Sequence, residues 1–251
     1  MPIEERKMLI YGIHAVRASL ATQRVERLFV AAARNRPAVD RIVAEAKARG
    51  IPIEYVPPAF LDRETDRGVH QGIAVRLEDY VYAEAERLFD DPSRAPLLLL
   101  DGIEDPHNLG AIVRTAHAAG AGGIVLPRHR SARVTPVVAK AAAGALPHIP
   151  IAIVTNLADA IATLQEKGWW IAGTDPLADA SLYETDLPDP IVFVMGSEGR
   201  GLRRRVKGKC DLLLSIPILG SVGSLNVSVA TGVVLYEYLR RQTAANKGET
   251  R

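Results

Sequence analysis

Apolar and polar residues alternate in two blocks of the chain, and each block predicts strands interleaved with helices. In the first block, apolar positions recur with the periods of strands and amphipathic helices, and Gly50 closes the clearest helix. The predicted helices cover 14–22, 37–50 and 57–66, and the predicted strands cover 25–31, 51–56 and 71–77. This alternation predicts a small α/β domain over residues 1–78.

The second block is more continuously apolar. Strands without polar alternation, such as 97–103 and 191–197, are typical of a parallel sheet covered by helices on both faces. The predicted strands are 97–103, 123–127, 149–154, 169–175, 191–197 and 211–218, and the predicted helices are 109–121, 135–146, 157–168, 201–209 and 229–241. We expect a linker over 79–96, a second α/β domain over 97–243 and a polar tail over 244–251.

Composition excludes several classes of protein. The chain has 251 residues, of which 48% are apolar and 24% charged, an ordinary globular composition. It contains no apolar run of about 18 residues that would predict a membrane span, and its charged N-terminus is not typical of a secretion signal. The single cysteine, Cys210, favours a reducing, cytoplasmic setting. The six histidines follow no metal-ligand spacing, so we expect no metal site.

Positive charge is unevenly placed, although the net charge is only +2. Residues 200–209 carry six positive side chains and no acid. A second acid-free group consists of Arg128, Arg130, Arg133 and Lys140. Basic patches on a nearly neutral protein fit one that meets a polyanion on one face. A solvated helix face is the alternative interpretation.

The chemistry of a parallel α/β sheet is expected beyond the carboxyl ends of its strands. Three strand exits stand out there: 104–116, 196–202 and 219–230. The glycine-rich "GSEGRGL" is not a phosphate loop, because Leu202 and Arg203 replace the lysine and hydroxyl residue of a P-loop. The dinucleotide fingerprint GxGxxG is also absent. A nucleotide-hydrolysing enzyme is therefore disfavoured.

Three segments resemble, in order and spacing, the motifs of the SpoU/TrmH branch of the SPOUT methyltransferases. They are "DPHNLGAIVRTA" (105–116), "FVMGSEGRGL" (193–202) and "IPILGSVGSLNVSVATGVVLYE" (216–237). In the first domain, "YGIHAV" and "HQGIAV" resemble the RNA-binding domain of the subgroup that modifies a guanosine in 23S rRNA. One departure is "KAAAGA" at 140–145, where many members carry a serine.

The resemblance implies methyl transfer from S-adenosylmethionine to a ribose 2′-hydroxyl of 23S rRNA, without a metal. It also implies a deep trefoil knot in the C-terminal parallel-sheet domain, a small N-terminal RNA-binding domain, and a homodimer whose contact could include the apolar face of 229–239. The implied cofactor-binding residues are Gly196, Ile216, Leu225, Thr174 and Gly201. The implied catalytic residues are Asn108, Arg114, Glu198, Asn226 and Ser224. The resemblance implies a role as base for the arginine matching Arg114, but a guanidinium stays protonated in proteins, so a role through its charge is the other interpretation.

Each candidate residue also has a structural interpretation. Asn108 could cap the helix that follows it, Glu198 could favour the dipole of the next helix, and Ser224 could be a turn residue. Arg114 is surrounded in sequence by apolar residues that predict a mostly buried helix, where a charge needs a functional reason. We further expect Gly220, Gly223 and Ser224 to allow a tight turn beneath a ligand, and Asn226 and Ser228 to cap the last helix.

Other substrates and one other class of function fit the same residues. Within the family, a tRNA ribose or an rRNA adenosine could be the target. A non-catalytic RNA-binding factor in ribosome assembly is the alternative outside catalysis. Intact Asn108, Arg114, Glu198 and Asn226 favour the enzyme, since a binding protein needs no such set.

Overall fold

The structure, a computed structural model, describes residues 8–32 and 36–248, with side chains described as far as 244. The elements, in chain order, are β1 (Leu9–Tyr11), α1 (Ile13–Thr22), β2 (Val25–Ala31), α2 (Pro37–Ala48), β3 (Ile53–Val56), α3 (Pro58–Glu64), β4 (Ile73–Leu77), α4 (Ala85–Phe89), β5 (Leu97–Asp101), α5 (Pro106–Ala118), β6 (Gly123–Pro127), α6 (Pro136–Ala141), β7 (Ile151–Val154), α7 (Leu157–Glu166), β8 (Trp170–Thr174), β9 (Ala180–Ser181), β10 (Ile191–Gly196), α8 (Arg204–Lys207), β11 (Leu212–Ser215) and α9 (Val227–Gly248). Two 3₁₀ turns cover Pro92–Arg94 and Leu146–His148.

Contacts divide the chain into two compact units. The first comprises the chain up to Val81 together with Val134–His148, and the second comprises Tyr82–Arg133 together with the chain from Ile149 onward. The segment 134–148 belongs to the first unit because α6 packs against β1 and its 3₁₀ turn packs against α1. The expected linker over 79–96 includes α4 and a 3₁₀ turn in the second unit.

The first unit is built on a four-stranded sheet of order β1-β4-β2-β3. Strands β2 and β3 are parallel, whereas β4 runs antiparallel to both β1 and β2. Leu28, Ile73 and Val75 are fully buried in it. The predicted small α/β domain is therefore present, with the three-residue β1 as an additional edge strand.

The second unit contains a seven-stranded, entirely parallel sheet of order β7-β6-β5-β10-β8-β11-β9. Its inner strand β5, next to the central β10, has leucine at 97 to 100, all fully buried, as expected where helices cover both faces. Trp169 is buried, and its indole Nε1 donates to the Phe89 carbonyl at 2.8 Å. Trp169 is thus a core residue, whereas Trp170 is 47% exposed.

Three helices differ clearly from their predicted bounds. Helix α6 ends at Ala141 rather than at 146, because Ala143 and Gly144 have left-handed φ of 47° and 88° before the 3₁₀ turn. The basic segment forms a helix only over Arg204–Lys207, because Gly201 has a left-handed φ of 62° and Arg203 is extended. The last helix runs on to Gly248, into the segment expected to be a polar tail, and the final residues 249–251 lie outside the described residues. No helix within the described residues is long and apolar enough to cross a membrane.

Candidate active site

A cavity of about 290 Å³ lies at the carboxyl edge of the seven-stranded sheet. It is walled by the ends of β8, β10 and β11 and by the chain that leads into α9. The lining residues are Thr174, Asp175, Pro176, Met195, Gly196, Ser197, Glu198, Gly199, Gly201, Leu214, Ile216, Ile218, Gly223, Ser224, Leu225, Val227 and Ala230. All five residues predicted to bind a cofactor are among them.

A tight glycine turn forms one wall of the cavity. Ser197 and Gly201 exchange two backbone hydrogen bonds of 3.2 and 2.9 Å, which close the turn with Glu198 near its tip. Gly196 has to be a glycine, because an added Cβ would lie 2.3 Å from the carbonyl carbon of Gly201. Gly199 adopts a φ of 74°, which also favours glycine. The glycine-rich motif thus encodes a backbone that doubles back on the end of β10.

The last helix begins at this turn with an asparagine cap. Asn226 Oδ1 accepts hydrogen bonds from the Ser228 and Val229 amides at 3.0 and 3.4 Å, and the Asn226 carbonyl accepts from Ala230 N at 2.9 Å. The predicted cap is therefore confirmed. The Ser228 hydroxyl also donates to Asn226 Oδ1 at 2.6 Å, which fixes the orientation of the amide.

Three of the predicted catalytic residues meet in one hydrogen-bonded cluster. Asn226 Nδ2 donates to Asn108 Oδ1 at 3.0 Å and also to Glu198 Oε1. Asn108 Nδ2 lies 3.4 Å from the same Glu198 oxygen. Glu198 and Asn226 lie 90 and 118 positions from Asn108 in the chain, so folding brings the three side chains together.

The structural interpretations of Asn108 and Glu198 are now resolved. Asn108 is not the cap of α5, because Asp105 is, with its carboxylate accepting from His107 N at 2.8 Å. Glu198 does serve a helix start, but it is that of α9, where its Oε1 accepts from Val227 N at 3.2 Å. The side chain of Asn108 therefore caps no helix and takes part in the cluster instead.

Two predicted catalytic residues lie outside the cluster. Arg114 is exposed on α5, so the expectation of a mostly buried helix around it is wrong for this residue, although Ile112 and Val113 are fully buried. Among the described residues, its guanidinium has no hydrogen-bonding or ionic partner. Ser224 is exposed and lines the cavity. A catalytic role for either residue stays a prediction.

Sequence reasoning missed part of the cavity wall and misjudged two glycines. Met195 and Leu214 line the cavity, and each lies one residue before the carboxyl end of its strand. Both could have been predicted from the rule that ligands bind at the carboxyl ends of parallel strands. Gly220 and Gly223 have no left-handed φ, and an added Cβ would meet no atom within 4 Å. The protein fold itself therefore does not require glycine at either position.

Comparison with known proteins identifies the family. The model of the SpoU rRNA methylase family matches residues 95–236, more than half of the chain. The chain belongs to the SpoU rRNA methylase family. A second model, for the substrate-binding domain of RNA 2′-O ribose methyltransferases, matches residues 9–83 of this SpoU methylase.

Relatives match the SpoU methylase over nearly its whole length. It is 45% identical over 244 residues to the 23S rRNA (guanosine-2′-O-)-methyltransferase RlmB of Pseudomonas syringae pv. tomato, an alignment that covers 95% of this chain and 97% of that protein. It is also 45% identical over 240 residues to the protein of that name from Pseudomonas aeruginosa, covering 93% and 96%. The AdoMet-bound rRNA methyltransferase of Sinorhizobium meliloti is a structural neighbour with a TM-score of 0.78, 28% identity and coverage of 94% and 88%.

The cavity of the SpoU methylase has the chemistry that an adenosyl group requires. Its walls are mainly apolar, with Leu214, Ile216 and Leu225 among them, and Gly196 and Gly201 add main-chain polar groups to the lining. A cavity of this size with apolar walls and main-chain polar groups is typical of small-molecule sites. The residues present therefore fit S-adenosylmethionine.

Ion pairs fix the basic segment beside the cavity. Arg203 binds Asp101, and Lys207 binds Asp175, whose pKa is lowered chiefly by the hydrogen bond from Lys207. Burial raises the pKa of Cys210 to about 12, so this cysteine is an unreactive thiol at neutral pH. The basic side chains of this segment that form no ion pair with any described residue are Arg200, Arg204, Arg205 and Lys209, and all four residues are exposed. No group of three or more His, Cys, Asp or Glu within the described ranges is placed to hold a metal ion.

Proposed function

We propose that this protein transfers a methyl group from S-adenosylmethionine to the ribose 2′-hydroxyl of a guanosine in 23S rRNA. The observation that carries the proposal is the hydrogen-bonded cluster of Asn108, Glu198 and Asn226 at an apolar cavity, in a chain 45% identical to 23S rRNA guanosine methyltransferases. The cofactor is the electrophile, and the protein has to hold a ribose hydroxyl beside it.

The cluster can hold that hydroxyl. When bound, S-adenosylmethionine supplies an activated methyl group on a sulfonium. Glu198 Oε1 already accepts from Asn226 Nδ2 and Val227 N, and among the described residues Oε2 has no hydrogen-bonding partner. Glu198 lines the cavity, and this second carboxylate oxygen is an acceptor that would orient the ribose O–H and take its proton as the oxygen bonds to the methyl group. Correct orientation of the reacting oxygen accounts for a large part of such rate enhancements.

Arg114 acts through its positive charge in this proposal. A guanidinium is not deprotonated at neutral pH, so it is not the base that takes the hydroxyl proton. Its five N–H donors can stabilise the developing alkoxide or hold the phosphate next to the target ribose. Its exposure on α5, without a partner among the described residues, leaves these donors available to RNA.

RNA recognition is divided between two regions in this proposal. The domain over 1–78 selects looped RNA, in keeping with the match of 9–83 to a substrate-binding model. The methyltransferase domain is 97–243 in this proposal, and 79–96 connects the two domains although its helix α4 belongs to the second unit. Arg204, Arg205 and Lys209 bind backbone phosphates beside the active site. The protein acts in the cytoplasm, consistent with a rRNA substrate and a free thiol at Cys210.

We also propose that the second unit contains the deep trefoil knot of this family. Two features support it. Strand β10 lies between β5 and β8 although four strands separate β5 from β10 in sequence, and α9 returns from β11 to pack against α5. Within a knot, the turn at 196–201 and the segment 216–226 would form the two loops that hold the cofactor.

The protein is a homodimer in this proposal, joined through α9. Val234, Leu235 and Tyr238 are buried within the chain, but Val229, Tyr236 and Leu239 are 53%, 51% and 37% exposed. These three recur at helical spacing and form one apolar stripe. Val229→Glu with Tyr236→Glu is expected to convert the dimer to a monomer in sedimentation analysis. Val81→Glu, at an exposed valine outside α9, should leave the dimer intact.

The test of the proposed function is transfer of labelled methyl from S-adenosylmethionine to unmodified 23S rRNA and, separately, to tRNA. Label in 23S rRNA alone, in an alkali-resistant dinucleotide that contains guanosine, is the expected result. Label in tRNA, or on an adenosine of rRNA, would show that the substrate is one of the other RNAs considered for this family. Cofactor binding without label in free rRNA or in assembling large subunits would favour a binding role in ribosome assembly.

A further inference from the structure

A fully buried carboxylate lies beneath the glycine turn. Asp101 is the last residue of β5, and its side chain has no exposed surface. An ionised carboxylate in such a place is strongly unfavourable unless it is paired and hydrogen-bonded. Arg203, 102 positions further along the chain, supplies two hydrogen bonds: its backbone N donates to Oδ2 at 2.8 Å, and its side-chain Nε donates to Oδ1 at 2.5 Å.

Asp101 fixes the turn at both of its ends. Gly196, where the chain enters the turn, pairs with Asp101 in the β5–β10 ladder. The returning chain, Gly201 and Leu202, lies directly on Gly196, and Arg203 follows it. One residue of β5 is therefore the ladder partner of the residue at the entrance of the turn, and its carboxylate is hydrogen-bonded to the residue at the exit.

The turn residues between these two fixed ends include those that form the candidate site. Glu198 lies between the two fixed ends, and its Oε1 has to reach Asn108, Asn226 and Val227 N at once. Gly196 and Gly201 line the cavity. Asp101 and Arg203 do not line it, so any effect on cofactor or ribose has to pass through the turn.

We propose that Asp101, acting through Arg203, is a positioning residue that sets the glycine turn for both cofactor binding and methyl transfer. The catalytic half of this inference rests on the proposed function. The two hydrogen bonds from separate atoms of Arg203 fix both the position and the orientation of Arg203 relative to Asp101. A single contact, or apolar packing at that place, would not fix its orientation. Displacement of the turn by about 1 Å would suffice to weaken catalysis by about 100-fold.

The test is a double-mutant cycle of Asp101→Asn and Arg203→Gln, read by calorimetric titration with S-adenosylmethionine and by methyl transfer to 23S rRNA. Each single variant is expected to bind the cofactor roughly tenfold more weakly, and the double variant no more weakly than either, because the two residues act as one unit. The methyl-transfer rate at saturating cofactor should fall by about 100-fold. Additive losses, or a dissociation constant for Asp101→Asn within twofold of wild type, would overturn the proposal.

A matched control separates positioning from stability. Glu237 is a second buried carboxylate held by arginines, 11 residues beyond Asn226 on α9 and therefore about 16 Å along that helix. Glu237→Gln should lower the unfolding temperature but leave cofactor affinity and methyl transfer unchanged. Equal losses of cofactor affinity in Glu237→Gln and Asp101→Asn would assign Asp101 a stability role only.

A conservative variant covers the case in which Asp101→Asn does not fold. Arg203→Lys keeps the charge and the backbone hydrogen bond but loses the directed Nε donor, so an intermediate loss of cofactor affinity is expected. Full wild-type affinity in this variant would contradict the inference. Wild-type protein that binds S-adenosylmethionine but modifies no rRNA would refute the proposed function, while the affinity cycle would still decide the role of Asp101.

Discussion

Arg114 presents a permanent positive charge on the surface of α5, whereas Asn108, six residues earlier on the same helix, is hydrogen-bonded into the cluster with Glu198 and Asn226. The helix thus carries one polar side chain that is held by the protein and one that is not. A group that the protein leaves without a partner contributes little to stability, since a solvent-exposed charge makes few favourable contacts. The role proposed for Arg114 is therefore contact with RNA.

Replacing Arg114 with alanine is expected to reduce single-turnover methyl transfer by about 100- to 1,000-fold, the cost of losing one donor to a developing oxyanion. Affinity for S-adenosylmethionine should stay unchanged, because Arg114 does not line the cavity. Arg114→Lys keeps the charge but not the planar fork, so it should restore part of the rate. Activity of the alanine variant close to wild type would show that Arg114 is not catalytic.

For single residues, the sequence predicted which residues form the cluster better than it predicted their exposure and their partners. Asn108, Glu198 and Asn226 were selected by their motifs, and the structure brings them together. The exposure of Arg114 could not be read from its neighbours, because residues adjacent in a helix point in different directions. Asp101 was not recognised, since a single acid at the end of "LLLLD" gives no sign of its partner 102 positions away.

Among the elements, α9 joins the active site to a separate ionic cluster. Asn226 caps its first turn, and further along Glu237, buried at 8% exposure, accepts hydrogen bonds from Arg240 and Arg241. Arg241 also donates to the carbonyls of Leu182 and Thr185, so this cluster ties α9 to the segment before β10. The stability of α9 therefore depends on the charge of one carboxylate.

That dependence predicts a specific sensitivity to acid. Hydrogen bonds from Arg240, followed by Arg241, lower the pKa of Glu237 from 4.5 to about 2. A lowered folded-state pKa stabilises the protein above the unfolded value of 4.5, and this contribution is lost as the pH falls toward 2. The difference in unfolding free energy between wild type and Glu237→Gln, measured in urea, should shrink from pH 6 to pH 3. A constant difference over that range would contradict the assignment.

The element pattern itself was largely predictable, with two kinds of exception. Buried strands such as β5 and β10 and amphipathic helices such as α7 have strong periodic signals. Strands β1 and β9, of three and two residues, are too short to show a period. Helix α8 is shorter than its basic run indicated, because the bond to Asp101 holds Arg203 in an extended backbone. Strand order could not be derived from any local signal.

For the molecule as a whole, the structure divides the basic run 200–209 by ion pairing. Arg203 and Lys207 form ion pairs with Asp101 and Asp175. Arg204 and Arg205 are exposed on α8 and form no ion pair with any described residue. If this surface binds RNA, its contribution to the binding free energy is electrostatic and independent of the RNA sequence. Such a contribution is measured by the salt dependence of the binding constant rather than by the affinity at one salt concentration.

Arg204→Ala combined with Arg205→Ala is expected to weaken binding to a 23S rRNA fragment and to reduce the slope of log K against log salt by about one to two, since each lost phosphate contact removes about 0.7 for single-stranded RNA. Titrations between about 50 and 200 mM salt would measure it. Cofactor affinity should not change, because neither residue lines the cavity. Arg87→Ala, at an exposed arginine on α4, is the control and should keep the wild-type slope. A wild-type slope in the double variant would mean that α8 faces away from bound RNA, leaving the other exposed basic side chains, among them Arg128 and Arg130, to carry the phosphate contacts.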